Sequence, residues 1–144
     1  MLADQAAPLP AVVIDTNWVL DLFVFQDPGA MALRSQIEQR QVRWLATEAM
    51  HAELVRVLTY PQIVVVLLAK ALHADQVLQA VHAHQMRVPA PSGQGHGIRC
   101  RDADDQMFID LAVAHQADLL SKDKAVLALA KRLLRWNVRV KRGW

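Results

Sequence analysis

The sequence predicts an α/β fold: an open parallel β-sheet with helices on both faces. Two observations carry this reading. The run AVVI (Ala11–Ile14) is β-branched and apolar on both faces, as a central strand covered on both sides requires. Beyond it, short strand-like runs alternate with stretches of helical periodicity, the pattern of strands joined by helical crossovers. Bulk composition agrees. The chain has 144 residues, 53% apolar and 21% charged, with a net charge of +2. That suits one ordinary domain with its own core and excludes a disordered chain.

In order along the chain, residues 1–10 read as a loose tail and 11–144 as a single domain without internal repeats. The first strand stops at Asp15. From about Gly29 to Arg40 the apolar positions Met31, Leu33 and Ile37 recur at helical spacing. QVRWLA (41–46) reads as a second strand, followed by Thr47 where a helix N-cap is wanted. The helix EAMHAELVRVL then runs to a break at Tyr60-Pro61, because proline disfavours helical geometry in the residue before it. PQIVVVLLAKAL and ADQVLQAVHAHQ read as two more helices, the β-branched IVVV leaving a strand alternative open. MRV (86–88) is a short strand candidate, and 89–97 a Pro/Gly/Ser loop. A helix from about Asp104 to Gln116, a strand ADLLS (117–121), a helix from Lys124 to about Leu134 and a last strand NVRV (137–140) complete the order.

Cys100 is the sole cysteine, so no internal disulfide can form and the common zinc patterns are absent. The N-terminus lacks the basic start and apolar stretch of a signal peptide. The longest apolar run, 63–69, is far short of the roughly 20 residues a membrane span needs. A soluble cytoplasmic protein is the expectation.

In open α/β sheets, ligands bind beyond the carboxyl ends of the strands, where strand order reverses. Asp15 and Asp123 fall at such places. If their strands are neighbours the two carboxylates converge; capping the following helix is the other role open to each. Glu53 lies three residues after Met50 and four before Val57, on the apolar face of its helix. An inward carboxylate there needs a cation or hydrogen-bond donors, unless it sits at the stripe edge and reaches water. In CRDADDQMF, Asp102, Asp104 and Asp105 stand at a helix start, where acids favour the helix dipole. Asp105, three residues before Phe108, also borders the buried face. Four carboxylates meeting there would repel one another without a counter-charge, and a hard divalent cation taking oxygen ligands, Mg²⁺ or Mn²⁺, resolves the conflict.

VVIDTN (12–17), the AEL holding Glu53, CRDADDQMFIDLAVA (100–114) and ADLLSKDKAVL (117–127) together resemble the PIN-domain family, in particular its toxin-like branch. The pieces recur in the family's order and cover about residues 11–140. The resemblance implies a three-layer α/β/α sandwich and a divalent-metal ribonuclease, with Asp15, Glu53, Asp105 and Asp123 as the four catalytic, metal-holding acids. It implies that Asn17 steadies the metal site and that Ser121, where the family usually has Thr, supports the first acid. Asp102 matches a frequent acid of this branch. The toxin-like branch also implies an antitoxin partner. The very apolar segment after Pro61 suits either a homodimer or antitoxin contact or burial in the chain's own core.

Other features are weaker. His82 and His84 stand two apart and point in different directions on a helix. The GQGHG loop lacks the context and Lys of a phosphate-binding loop, and His96 reads as a mobile loop residue. Cys100 reads as a packing residue, and Trp18, Trp44 and Trp136 as core or partly buried. The last fourteen residues hold six Lys or Arg and no acid. There Arg135, Arg139, Lys141 and Arg142 are candidates for RNA phosphates, with Trp144 free to stack on a base; a solvated helix face beside a charge-protected edge strand is the alternative. Against a metal-dependent ribonuclease stand two other readings: a catalytically silent PIN-like module binding RNA or protein, and an Asp15-nucleophile phosphotransfer domain. The second lacks the second Asp of the usual DxD pattern.

Overall fold

The computed structural model describes residues 9–92 and 95–144; the predicted tail falls largely outside these, at residues 1–8, as do residues 93 and 94 of the predicted loop. Five strands form one parallel sheet: β1 (Ala11–Ile14), β2 (Arg43–Ala46), β3 (Gln85–Arg87), β4 (Asp118–Leu120) and β5 (Val140–Lys141). Their order is β3-β2-β1-β4-β5. The order reverses between β1 and β4, which pair Val12 with Asp118, Val13 with Leu119 and Ile14 with Leu120. The chain thus crosses one way from β1 to reach β3 and the other way to reach β4, opening a crevice at their carboxyl ends.

Strand alternation separates two cores. Val12, Ile14, Trp44 and Leu120 face one side, under helices α1 (Thr16–Phe23), α2 (Met31–Glu38), α4 (Pro61–Ala69) and α5 (Ala74–His84). Val13, Leu45 and Leu119 face the other, under α6 (Gln106–His115), α7 (Lys124–Leu127) and α8 (Ala130–Leu134). Helix α3 (Glu48–Val57) sits between, with Leu54 in the first core and Met50 in the second. This is a helix–sheet–helix sandwich, as predicted.

Helix α1 is absent from the sequence reading. It begins at once after Asp15 and buries Trp18, Val19, Leu20, Leu22 and Phe23. Thr47 caps α3 as predicted, accepting from Met50 N at 3.4 Å, and Pro61 opens α4. The segment IVVVLLA is helical with two fates. Ile63 and Leu67 are buried, whereas Val65 and Leu68 are 65% and 75% exposed. The helix predicted from Lys124 is split into α7 and α8 at Ala128–Leu129, where Leu129 N donates to Val126 O in a tightened turn. The last strand starts three residues later than NVRV suggests, because Asn137 turns with φ 62° and Val138 N bonds back to Leu133 O. Among the described residues no single helix is long and apolar enough to cross a membrane.

Candidate functional site

Asp15 stands at the end of β1 with its backbone N donating to Leu120 O at 3.0 Å. Only 3% of it is exposed. One carboxylate oxygen, Oδ1, accepts from Trp18 N at 3.1 Å, capping α1. The other, Oδ2, accepts from the buried Ser121 hydroxyl at 2.5 Å. Burial pushes the Asp15 carboxyl above its ordinary range; these two donors oppose that rise, and the charges of Asp123 and Glu53 add to it. The capping role and the site role therefore belong to the same side chain.

Ser121 directly follows β4 and links two acids. Its oxygen accepts from Asp123 N at 3.1 Å while its proton goes to Asp15. Asp123 in turn caps α7, with Oδ1 accepting from Ala125 N at 2.8 Å. Glu53 leaves the apolar stripe of α3 half-buried, and Thr16 Oγ1 donates to its Oε2. The sequence reading passes over Thr16, although it is the middle residue of the DTN motif.

Asp102, Asp105 and Asp123 form the tightest group: one oxygen from each lies within 4.8 Å of the others. Asp105 is the most strained electrostatically. Its Oδ2 is buried without a partner among the described residues. Burial first, then the adjoining Asp123 carboxyl, then the charges of Asp102 and Asp15, raise its pKa from 3.8 to about 8. Asp102, given only a supporting place from the sequence, thus belongs to this group, and Glu53 does not. Its Oδ1 caps the turn by accepting from Asp104 N at 3.0 Å.

All these acids line one cleft of about 300 Å³ beyond the carboxyl ends of β1 and β4. Asp15, Asn17, Glu53, Asp102, Asp105 and Asp123 lie on it, as do Tyr60 and Gln62 of the α3–α4 junction. Asn17 is exposed on the cleft surface. An unpartnered buried carboxylate oxygen beside two other acids is a donor set of hard oxygens short of positive charge. It fits a divalent cation such as Mg²⁺ or Mn²⁺.

Arg135, Arg139, Lys141 and Arg142 do not line this cleft. Lys141 is held by Asp118 at 3.2 Å and lies over the Trp144 ring, 4.4 Å from its centroid. Arg135, Arg139 and Arg142 are exposed. Trp144 is not the free stacking residue expected: its ring packs on the first core and its Nε1 donates to Gln36 Oε1 at 3.1 Å. His96 also departs from expectation. Its Nδ1 accepts from Ile98 N at 2.9 Å, so Nε2 carries the proton and faces Asp110 Oδ1 at 2.9 Å. Gln106 continues the network, donating from Nε2 to Ile98 O and Asp110 Oδ1 and accepting from Cys100 N. The segment leading into Asp102 is therefore pinned to α6. Cys100 is half-buried, and burial pushes its thiol pKa up, which suits packing and disfavours a nucleophile.

A sequence model of the family described as PIN domain matches residues 11–125. The fold is similar to that of a chain in the crystal structure of VapBC2 from Rickettsia felis bound to a DNA fragment from their promoter. The TM-score is 0.60 at 12% identity, with 91% of this chain and 97% of that chain covered. No curated protein matches the sequence.

Proposed function

This chain belongs to the PIN-domain family, and on that premise we propose that it is a Mg²⁺- or Mn²⁺-dependent ribonuclease, the toxin half of a toxin–antitoxin pair. The observation that carries the proposal is the Asp102–Asp105–Asp123 cluster, whose Asp105 holds a buried unpartnered oxygen at the sheet's switch point. Asp15, Asp105 and Asp123 would hold the metal, with Asp102 completing the cluster and Glu53 reaching it from the α3 wall. The bound ion supplies positive charge and Lewis acidity toward a phosphodiester.

The protein's own groups prepare that site. Trp18 N and the Ser121 hydroxyl fix both oxygens of Asp15, so the carboxylate cannot turn away. Thr16 Oγ1 holds one oxygen of Glu53, Oε2. A cation held here would supply the positive charge that the crowded Asp105 carboxylate lacks. Arg142, just beyond β5, and the other exposed arginines add long-range attraction for a polyanion.

An antitoxin partner has support from α4, which presents Val65 and Leu68 to solvent; a homodimer through the same face is the other outcome. The decisive experiment is cleavage of structured and single-stranded RNA with Mn²⁺, with EDTA, and by Asp15→Asn. The variant should cut more than about 100-fold more slowly, beyond the loss expected for an outer-shell partner. Wild-type activity in EDTA, or an active Asp15→Asn, would overturn the proposal.

A further inference from the structure

The cleft is lined by two chemically different sets of residues. One is the carboxylates. The other is Leu20, Val57, Tyr60 and Ile63, together with the exposed Gln62. Cation binding explains the first set and leaves the second without a role.

Tyr60 is the one aromatic residue of the second set that is exposed. It stands between α3 and α4, whose axes bend by 75°. Its backbone is fixed on both sides: Tyr60 N donates to Val57 O at 3.0 Å, and Tyr60 O accepts from Ile63 N and Val64 N, each at 2.9 Å. Pro61 at the first position of α4 restricts it further. Although the backbone is fixed, the side chain stays 38% exposed and lines the cleft. Burial is supplied at this junction by Leu58, Ile63 and Leu67, so core packing does not account for an aromatic ring there.

We propose that Tyr60 and Gln62 form a subsite for one unpaired nucleobase next to the carboxylate cluster, the base stacking on the Tyr60 ring and the Gln62 amide meeting its edge. The inference rests on the ribonuclease reading and adds to it the residues of this chain that would hold one base of the substrate. Three considerations favour this occupant. An uncharged aromatic face beside a set of anions accepts the neutral part of a nucleotide, while the phosphate goes where the cation is. An amide offers both a donor and an acceptor to a base edge. The cleft, about 300 Å³, is at the small end of ligand sites; it takes one nucleotide, whereas a duplex keeps its base faces covered.

The test is fluorescence anisotropy of a dye-labelled eight-nucleotide single-stranded RNA in Ca²⁺, with the full chain, beside a cleavage assay in Mn²⁺. Tyr60→Ala should weaken binding by about 5- to 100-fold, the range for loss of one base–aromatic stack. Tyr60→Phe should stay within about twofold, the scatter of a surface substitution. Replacing the bases one at a time by abasic sites should reproduce the loss at one position in the wild type and add little to it in Tyr60→Ala. A thermal melt of each variant checks folding. Equal affinity of Tyr60→Ala and wild type, no binding by the wild type, or equal affinity for a duplex would each overturn the subsite. The two readings fail separately: cleavage with an unchanged KM in Tyr60→Ala removes the subsite alone, and Tyr60-dependent binding without cleavage removes the nuclease alone.

Discussion

Ser121 and Asp15 stand 106 residues apart in the chain and 2.5 Å apart at their side chains. The parallel pairing of Ile14 with Leu120 brings them together, because the residue after each strand end then meets its counterpart. A buried hydroxyl thereby satisfies a buried carboxylate and, through its oxygen, the backbone of Asp123.

Ser121→Ala should raise the Mn²⁺ concentration needed for half-maximal cleavage by about 10- to 100-fold, as expected for an outer-shell partner. It leaves Asp15 Oδ2 buried and without its donor, which costs about 1–3 kcal/mol of stability. Ser121→Thr keeps the hydroxyl and should keep the metal midpoint near that of the wild type. A metal titration of the three proteins checks this; an unchanged midpoint in Ser121→Ala would show that the hydroxyl does not orient Asp15.

Metal and pH should act on stability together. Asp105 ordinarily titrates near 3.8 and in the folded protein near 8. Between those values the metal-free folded state holds a proton that the unfolded chain has released, so stability falls as pH rises through that window. A cation that replaces the proton should therefore raise the melting temperature more at pH 8 than at pH 5. Melting curves in EDTA and in Mn²⁺ at both pH values measure the two gains, and Asp105→Asn should flatten the pH dependence in EDTA. A gain from Mn²⁺ that is equal at the two pH values, or larger at pH 5, contradicts the assignment.

Two residues beyond the end of α4, Ala71 takes the left-handed region, φ 54°. An L-residue there costs roughly 1–2 kcal/mol, and glycine avoids that cost while giving back part of it as unfolded-chain entropy. Ala71→Gly should therefore stabilise the protein by about 0.5–1 kcal/mol in urea unfolding. A destabilised variant would mean that the methyl group packs usefully at this position.

The sheet and its acids were legible because each leaves a local mark. AVVI is too apolar for an edge, Thr47 precedes a helical stripe, and Asp15 and Asp123 end or follow strands. Placing Glu53 among Met50, Leu54 and Val57 needs only helical periodicity. Other features leave no such mark. Gln26, Arg40, Ala71, Gln116 and Asn137 all take positive φ without glycine, so the usual stop signal is missing at several helix ends. The break between α7 and α8 falls inside a sequence that favours helix throughout, where packing of Leu129 on the second core overrides propensity. His96 looked mobile because its neighbours are glycines, yet Asp110 on α6 holds it from fourteen residues away. In the sequence Tyr60 marks only a helix break before Pro61. Its place on the cleft depends on the angle between α3 and α4, which no local pattern encodes.

The central seam between β1 and β4 also orders events in time. Closing a loop of about a hundred residues is slow relative to forming local helices, and the seam is what brings Asp15, Ser121 and Asp123 together. The carboxylates therefore meet only after most of the chain is in place. A cation that binds them acts on the finished molecule more than on its formation, so it lengthens the lifetime of the native state and leaves the speed of reaching it nearly untouched.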